Sequence, residues 1–296
     1  MVPITVFTPS YNRADLLKRC YESMCRQTNK NFIWMIIDDG STDNTEEVVK
    51  SWMSVNNEFE IQYYYKKNGG LHTAYNEAIA HIKTKLCVCI DSDDYMPDDA
   101  IEIILDFWKK NGSDKYAGIV GLDYTIDDHV IGDQLPDKKS VNLIDLLIGK
   151  YHIHNGDRTN VVRTDLYKKV APMISFEGEK NFSPHYMHLQ ISKKYDFLVL
   201  NKNLRYVEYQ ADGMSNSILK QYLNSPNSFI ETRKLYLSFP DTSWKFKLRQ
   251  SIHLISSGII ANKMNEVLKY IPSFSMAIIA VPCGFLLSKY IKVKAK

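Results

Sequence analysis

The 296-residue chain has little cysteine, little net charge and almost no long apolar run. Its five cysteines, Cys20, Cys25, Cys87, Cys89 and Cys283, are odd in number and form no paired framework. Cys87 and Cys89 fall at alternate positions of an apolar run, where free thiols act as small hydrophobes. Reduced core cysteines are therefore expected, rather than disulfides or a zinc site. The 37 Lys and Arg nearly balance the 34 Asp and Glu, leaving +3. That is too mild for nucleic-acid binding as the main task. No signal-peptide pattern is present, because Pro9, Asn12 and Arg13 interrupt the apolar residues 4–8 at once. Internal repeats and low-complexity segments are absent. One stretch, Ile271–Ile291, raises the membrane question. It holds Pro272, Pro282 and Gly284, and lysines 289, 292, 294 and 296 accompany its end. As a spanning helix it is marginal. An interfacial helix with a basic tail on an anionic lipid surface fits better. A helix packed on the protein's own core is the competing reading.

What is present is a 45% hydrophobic chain with a regular rhythm. Up to residue 125, strand-like runs at 4–8, 32–37, 61–65, 86–90 and 116–122 alternate with helical spacing at 14–27, about 44–52, 71–82 and 100–109. This βαβ alternation predicts an α/β fold with a mostly parallel sheet and helices on both faces. Beyond residue 125 the pattern loosens. Residues 127–140 read as a loop, 141–150 as a short helix, and 161–163 as a strand before a helix at 165–170. A helix at 186–195, strands at 197–200 and 204–209, and a mainly helical segment at 217–263 broken by Pro226 and Pro240 complete the reading.

Ligands of open α/β sheets bind outside the carboxyl ends of the strands. Polar clusters stand at those ends: Pro9–Arg13, Asp38–Asp43, Asn68–His72 and Asp91–Asp94. The last is the most informative. Asp91 and Asp93 lean the same way along an extended segment. Crowded carboxylates repel unless positive charge lies between them, and a hard divalent cation bound to oxygen would supply it. A solvated acidic turn is the plainer alternative for these four residues alone.

The four clusters resemble those of the family 2 glycosyltransferases of the GT-A (Rossmann-like) fold. The resemblance rests on Thr8-Pro9-Ser10-Tyr11-Asn12-Arg13, Ile37-Asp38-Asp39-Gly40-Ser41-Thr42-Asp43-Asn44-Thr45, Asn68-Gly69-Gly70 with His72 and Asn76, and Asp91-Ser92-Asp93-Asp94. It is clear over residues 1–125. A looser likeness to bacterial capsule and exopolysaccharide enzymes continues through Glu177-Gly178-Glu179-Lys180 and Glu208-Tyr209-Gln210-Ala211-Asp212-Gly213. The organisation it implies is a GT-A domain at 1–215, with a nucleotide-sugar half at 1–125 and an acceptor half at 126–215. A helical extension at 216–296 would follow.

The resemblance implies inverting transfer of a sugar from a nucleotide diphosphate sugar, UDP-linked by expectation, to a glycan or polyprenyl-diphosphate-linked acceptor. Asp39 would hydrogen-bond the base, with Pro9 and Tyr11 lining the nucleoside pocket; Tyr11 as a packing aromatic is the alternative. Asp38 would pin its loop. Asp91 would lie near the ribose and share Mn²⁺ or Mg²⁺ with Asp93 on the diphosphate, with Asp94 in support. Asn68 and Gly70 would let the backbone approach the donor. His72 would contact the diphosphate or donor sugar, or instead cap its helix. Tyr75 stands where many relatives carry a basic residue, so that phosphate contact would fall to Arg13 or Lys67. For the general base the order is Glu179, Glu177, His185. Asp157 is an acceptor contact or a turn residue. The expected setting is the cytoplasmic face of the cell membrane, with peripheral attachment through 271–296 and no nucleic-acid partner. Two other functions compete. A sugar-phosphate nucleotidyltransferase would need a glycine-rich loop where Pro9–Arg13 has no glycine. A non-catalytic sugar-nucleotide-binding protein would leave the polar 176–185 segment without a role.

Overall fold

The computed structural model describes residues 2–154, 156–208 and 217–295. These fall into two compact units: one runs to Met173 and resumes over Met187–Glu208, and the other comprises Ile174–Tyr186 and the residues from Tyr209 onward.

The first unit is built on β1 (Ile4–Ser10), buried at every position. Helix α1 (Ala14–Arg26) follows and turns Leu17, Cys20 and Met24 inward at helical spacing. Then come β2 (Phe32–Asp38), α2 (Thr45–Met53), β3 (Glu60–Tyr65), α3 (Leu71–His81), β4 (Leu86–Cys89), α4 (Ala100–Asn111) and β5 (Tyr116–Thr125). The later elements are β6 (Ser140–Val141), α5 (Leu143–Leu147), β7 (Arg158–Arg163), α6 (Thr164–Val170), α7 (His185–Ser192), which belongs to this unit from Met187 onward, and β8 (Asp196–Val207). Among the described residues, eight strands join one sheet in the order β3-β2-β1-β4-β7-β5-β8-β6. Strands β1 to β4 pair in parallel, as the βαβ rhythm predicts. One core cluster joins the α1 and α4 residues Leu17, Met24 and Ile104 to Val6, Trp34 and Val88 of the sheet. The Trp34 indole N–H in this core donates to Thr8 Oγ1 at 3.0 Å, so its burial leaves no orphan donor.

Three local expectations change. Strand β7 runs antiparallel between β4 and β5 and pairs with both, so the sheet is mixed there. Its apolar part, Val161–Val162, was too short to reveal a six-residue central strand. The two strands expected near 197–209 are one long β8, which passes through register shifts against β5. The helix expected at 141–150 is shortened to α5. Val141 is taken into the sheet opposite Phe197, and the Asn142 side chain caps α5 by accepting from Ile144 N at 3.0 Å.

The second unit holds α8 (Ile218–Asn224), α9 (Pro226–Leu237), α10 (Trp244–Ile260), α11 (Met264–Val267) and α12 (Phe274–Lys294). Pro226 opens α9 at a position where no amide hydrogen bond is lost. Ile230, Leu254, Ile255, Val267 and Ala280 form its core. The segment 174–186, expected to belong with the sheet, clusters with these helices.

Close strand packing makes Gly118 a test of the mixed sheet. Its φ is +155°, and a Cβ there would meet Val161 O at 1.9 Å. Gly149, just after α5, also has positive φ (+79°), but nothing lies within 4 Å of its Cβ position. Gly118→Ala is expected to cost about 2–5 kcal/mol in urea unfolding, and Gly149→Ala about 1 kcal/mol. Equal losses would mean that strand contact at Gly118 is not the constraint.

Candidate active site

The chain's acidic motif lies just past β4, and its electrostatics are settled by a residue the motif does not contain. Arg205, on β8, is 13% exposed at its side chain and contacts three carboxylates. Its Nη1 lies 3.1 Å from Asp91 Oδ2 and 3.3 Å from Asp94 Oδ2, while Nη2 and Nε both donate to Asp123 Oδ2. Asp123, on β5, is wholly buried and also accepts from Thr159 on β7 at 2.6 Å. Three acids around one guanidinium need this charge badly. Burial pushes the Asp94 carboxyl up to about 8, opposed by Arg205 and reinforced by Asp91 and Asp93. Burial raises Asp123 in the same direction, against Arg205.

Asp93 is placed differently. Its backbone carbonyl accepts from Arg19 Nη2 of α1 at 2.6 Å, which fixes the turn. Its carboxylate is half-buried and meets no hydrogen-bond or ion-pair partner among the described residues. Arg19 also pairs with Glu208 and lies 4.9 Å over the Tyr95 ring, which stacks on Tyr206 at 5.0 Å. Backbone bonds in both directions between Tyr95 and Tyr206, 3.2 and 2.8 Å, staple the acidic loop to the end of β8. The sequence argument gave the crowded carboxylates a cation. Arg205 already supplies that charge for Asp91 and Asp94, whereas the Asp93 carboxylate has no protein cation among the described residues, and Asp91, 44% exposed, is beside it. Among the described residues no cluster of three or more His, Cys, Asp or Glu forms a complete metal cage. One or two carboxylates on a rim suit an ion that completes its shell with diphosphate oxygens and water, as Mg²⁺ does.

Three further loops share the rim. After β2, Asp38 Oδ1 accepts from Ser41 N at 2.7 Å and Oδ2 from Tyr63 at 2.6 Å, the pinning role expected of it. Asp39, 4% exposed, organises the loop after β3. Its Oδ1 takes Lys66 Nζ at 2.6 Å and Gly69 N at 3.0 Å; Oδ2 takes Gly70 N at 2.7 Å and Asn68 Nδ2 at 3.2 Å. Gly40 is needed for this closeness, since a Cβ there would stand 2.6 Å from Asn68 N, and its φ is +81°. Gly70 opens α3 with φ +92°. After β1, Asn12 exchanges bonds with Ser41 and Thr42, and Asp43 accepts from Ala14 N at 3.2 Å, so the first two loops are one tied unit. Pro9 is buried in β1, Tyr11 is 46% exposed at its end, and Arg13 begins the helix beyond it. His72 is buried in the first turn of α3. Tyr75 is a core residue, edge-on to Phe7 at 4.9 Å, and offers no phosphate contact. Asn76 instead clamps the backbone of Met173 through both its N–H and its carbonyl, at 2.8 and 3.0 Å.

The three base candidates sit in the second unit. The structure corrects the first choice. Glu179, 6% exposed, holds the start of α9: Oε1 accepts from Asn227 N and Nδ2, Oε2 from Ser228 N and Oγ, all at 2.7–2.8 Å. A carboxylate whose acceptor positions are filled by a helix N-terminus is a cap, not a proton acceptor. Burial pushes the His185 imidazole down to about 4, which makes it a weak base. Glu177 is exposed, with no hydrogen bond or ion pair found among the described residues. Asp157 is exposed and adds negative field at Asp91 and Asp123. Residues 209–213, part of the looser resemblance, lie outside the described residues. Sequence reasoning missed Arg205, Arg19 and Lys66. The available signal for Arg205 was a cation inside an otherwise half-apolar strand, in a chain whose acidic motif lacked a nearby basic residue.

Comparison with known proteins bears on this rim. The model of the family described as "Glycosyl transferase family 2" matches residues 5–169. A chondroitin synthase of Pasteurella multocida is 36% identical over 102 residues, which is 34% of this chain and 10% of that protein. Glycosyltransferase GlyA of Streptococcus pneumoniae is 30% identical over 142 residues, 46% of this chain and 20% of that protein. The chain thus matches a tenth to a fifth of the length of these curated relatives. Among solved structures, S. aureus TarS 1-349 in complex with UDP-GlcNAc superposes with a TM-score of 0.61 at 18% identity, covering 98% of this chain and 90% of that one. The mannosyltransferase PcManGT from Pyrobaculum calidifontis, in complex with GDP-Man and Mn²⁺, gives 0.58 at 14% identity, covering 99% and 82%. At these identities the two structures bear on the fold alone, and it is the GT-A fold.

Removing Arg205 should expose the strain in the carboxylate cluster. Arg205→Gln is expected to cost about 3–5 kcal/mol near pH 8, the usual loss on breaking a buried charge pair from one side. A carboxyl whose folded pKa is raised above its unfolded value stabilises below the unfolded value and loses that contribution as pH rises through the folded one. The variant's deficit should therefore shrink toward pH 5. Urea titrations at the two pH values check this, and a deficit independent of pH would contradict it.

Proposed function

The chain belongs to glycosyl transferase family 2, and from that premise we propose that it transfers a sugar from a nucleotide diphosphate sugar, UDP-linked, to a glycan or polyprenyl-diphosphate-linked acceptor, with inversion, in the synthesis of a bacterial surface polysaccharide. The observation that carries the reading is the division of labour at the acidic loop. Arg205 holds Asp91 and Asp94, Arg19 holds the turn, and the half-buried Asp93 carboxylate is left without a protein partner among the described residues. Asp93 and Asp91 would hold Mn²⁺ or Mg²⁺ against the diphosphate. A divalent ion there would neutralise the charge that builds on the leaving group, without proton transfer.

The chain's own residues account for the remaining tasks. Pro9, Tyr11 and the Asp39-ordered loop Asn68–Gly70 would receive the nucleoside, with backbone N–H groups already aimed into the loop. Inverting transfer needs one group to take the acceptor hydroxyl's proton on the face opposite the leaving group. Glu177 is the carboxylate assigned to it, because Glu179 is committed to α9 and His185 is too acidic when protonated to compete. The similarity to relatives named for polysaccharide synthesis supports the acceptor class, and the UDP-GlcNAc complex of a similarly folded protein supports the donor class.

Purified protein with Mn²⁺ and a panel of UDP-sugars should slowly release UDP. Chelation and Asp93→Ala should each remove that release. Glu177→Gln is expected to lower transfer to acceptor by about 10²–10⁴-fold with unchanged thermal unfolding. Glu179→Gln should instead cost about 1–3 kcal/mol of stability, through donors left facing an amide. No release with any donor, together with an inert Asp93→Ala, would sink the transferase reading.

A further inference from the structure

Helix α12 is built inside out. The face it buries carries Met276, Ala280, Gly284, Ser288 and Ile291, small at three successive turns. At Gly284 a Cβ would meet the Ile255 side chain of α10 at 2.5 Å, so the small residues serve close helix contact. The bulky apolar residues point the other way: Ile278, Leu286 and Val293 are 61, 65 and 71% exposed, with Phe274, Phe285 and Tyr290 beside them. Only 28% of the helix's most apolar stretch is buried. In water a helix of this composition would bury its large side chains and expose its small ones. The reverse order, with small residues at the helix–helix seam, is the arrangement favoured where the outer medium is itself apolar.

The charge pattern names that medium. From Val267 to the last residue there is no Asp or Glu, while Lys269, Lys289, Lys292, Lys294 and Lys296 are all basic. Lys289 lies 4.6 Å over the Phe285 ring, so a cation and an apolar body share one face, as at a headgroup boundary. Leu268, Ile271, Phe274, Ile278 and Pro282 line an open apolar groove at the start of the same helix. A second copy of the chain is a poorer occupant, because a symmetric contact sets this face against itself, and 267–296 has no Asp or Glu to meet its lysines.

We propose that the outer face of α12 is a membrane-docking surface that lies in the plane of an anionic bilayer. Its apolar residues enter the acyl boundary and its lysines meet the phosphates. The inference stands apart from the sugar chemistry, since vesicle binding is read without donor or acceptor. The full chain should float with vesicles of phosphatidylcholine and phosphatidylglycerol, and about 100-fold less with phosphatidylcholine alone, from roughly three lysines at the surface. Lys289→Gln/Lys292→Gln/Lys294→Gln should erase that preference. Leu286→Glu/Val293→Glu should abolish flotation while donor hydrolysis and thermal unfolding stay as in the parent. Wild-type protein remaining in the aqueous fraction with both vesicles would overturn the proposal, as would a double variant that floats unchanged. So would a dimer, seen by sedimentation, that the double variant dissociates, because a second copy would then cover the face.

Discussion

One guanidinium holds the sheet together around its acidic loop. Arg205 ties the loop after β4 to β5 through Asp91, Asp94 and Asp123. Without it, three acids would be packed at the carboxyl edge of a sheet with no cation among them. Such a cluster either takes up protons or unfolds the loop that carries it. The arrangement explains why β8 must run the full length of β5, register shifts included, because only its far end brings Arg205 and Tyr206 to the acidic loop. It also separates two duties that look alike in the sequence. Asp91 and Asp94 contact a protein cation, whereas Asp93 is held by its backbone and its carboxylate has no hydrogen-bond or ion-pair partner among the described residues.

The first half of the fold was legible because each element there is specified locally. Apolar runs of strand length end in polar turns, and helices such as α1 carry a strict inward stripe. The loops after β1, β2 and β3 were legible for the same reason, since Gly40, Asp43 and Gly70 act on residues within their own loops or on the adjoining one. Beyond residue 125 the determinants are distant. Strand β7 owes its place to partners on both sides, and nothing in Arg158–Arg163 alone marks it as central. Arg205 gains meaning only from acids more than 80 residues away in sequence. Glu179 shows the same limit from the other direction. Its chemistry suited a base, but its partners at Asn227 and Ser228 fix it as a cap.

Asp39 reconciles two roles that seem to compete. Its four acceptor directions are used by Lys66, Gly69, Gly70 and Asn68, which leaves no lone pair for a base. The four bonds are unequal. Asn68 Nδ2 reaches Asp39 Oδ2 at 3.2 Å, yet the same group donates to the Asp39 carbonyl at 2.7 Å. Asn68 Nδ2 carries two N–H groups, so each bond has its own hydrogen, and the longer one to Oδ2 is the weaker. A ring N–H arriving at Oδ2 would compete with that weaker bond first, ahead of the two glycine amides and the lysine. Under the proposed function, a carboxylate could thus order this loop and still accept from a nucleoside's base, provided one of its own bonds is weak enough to yield.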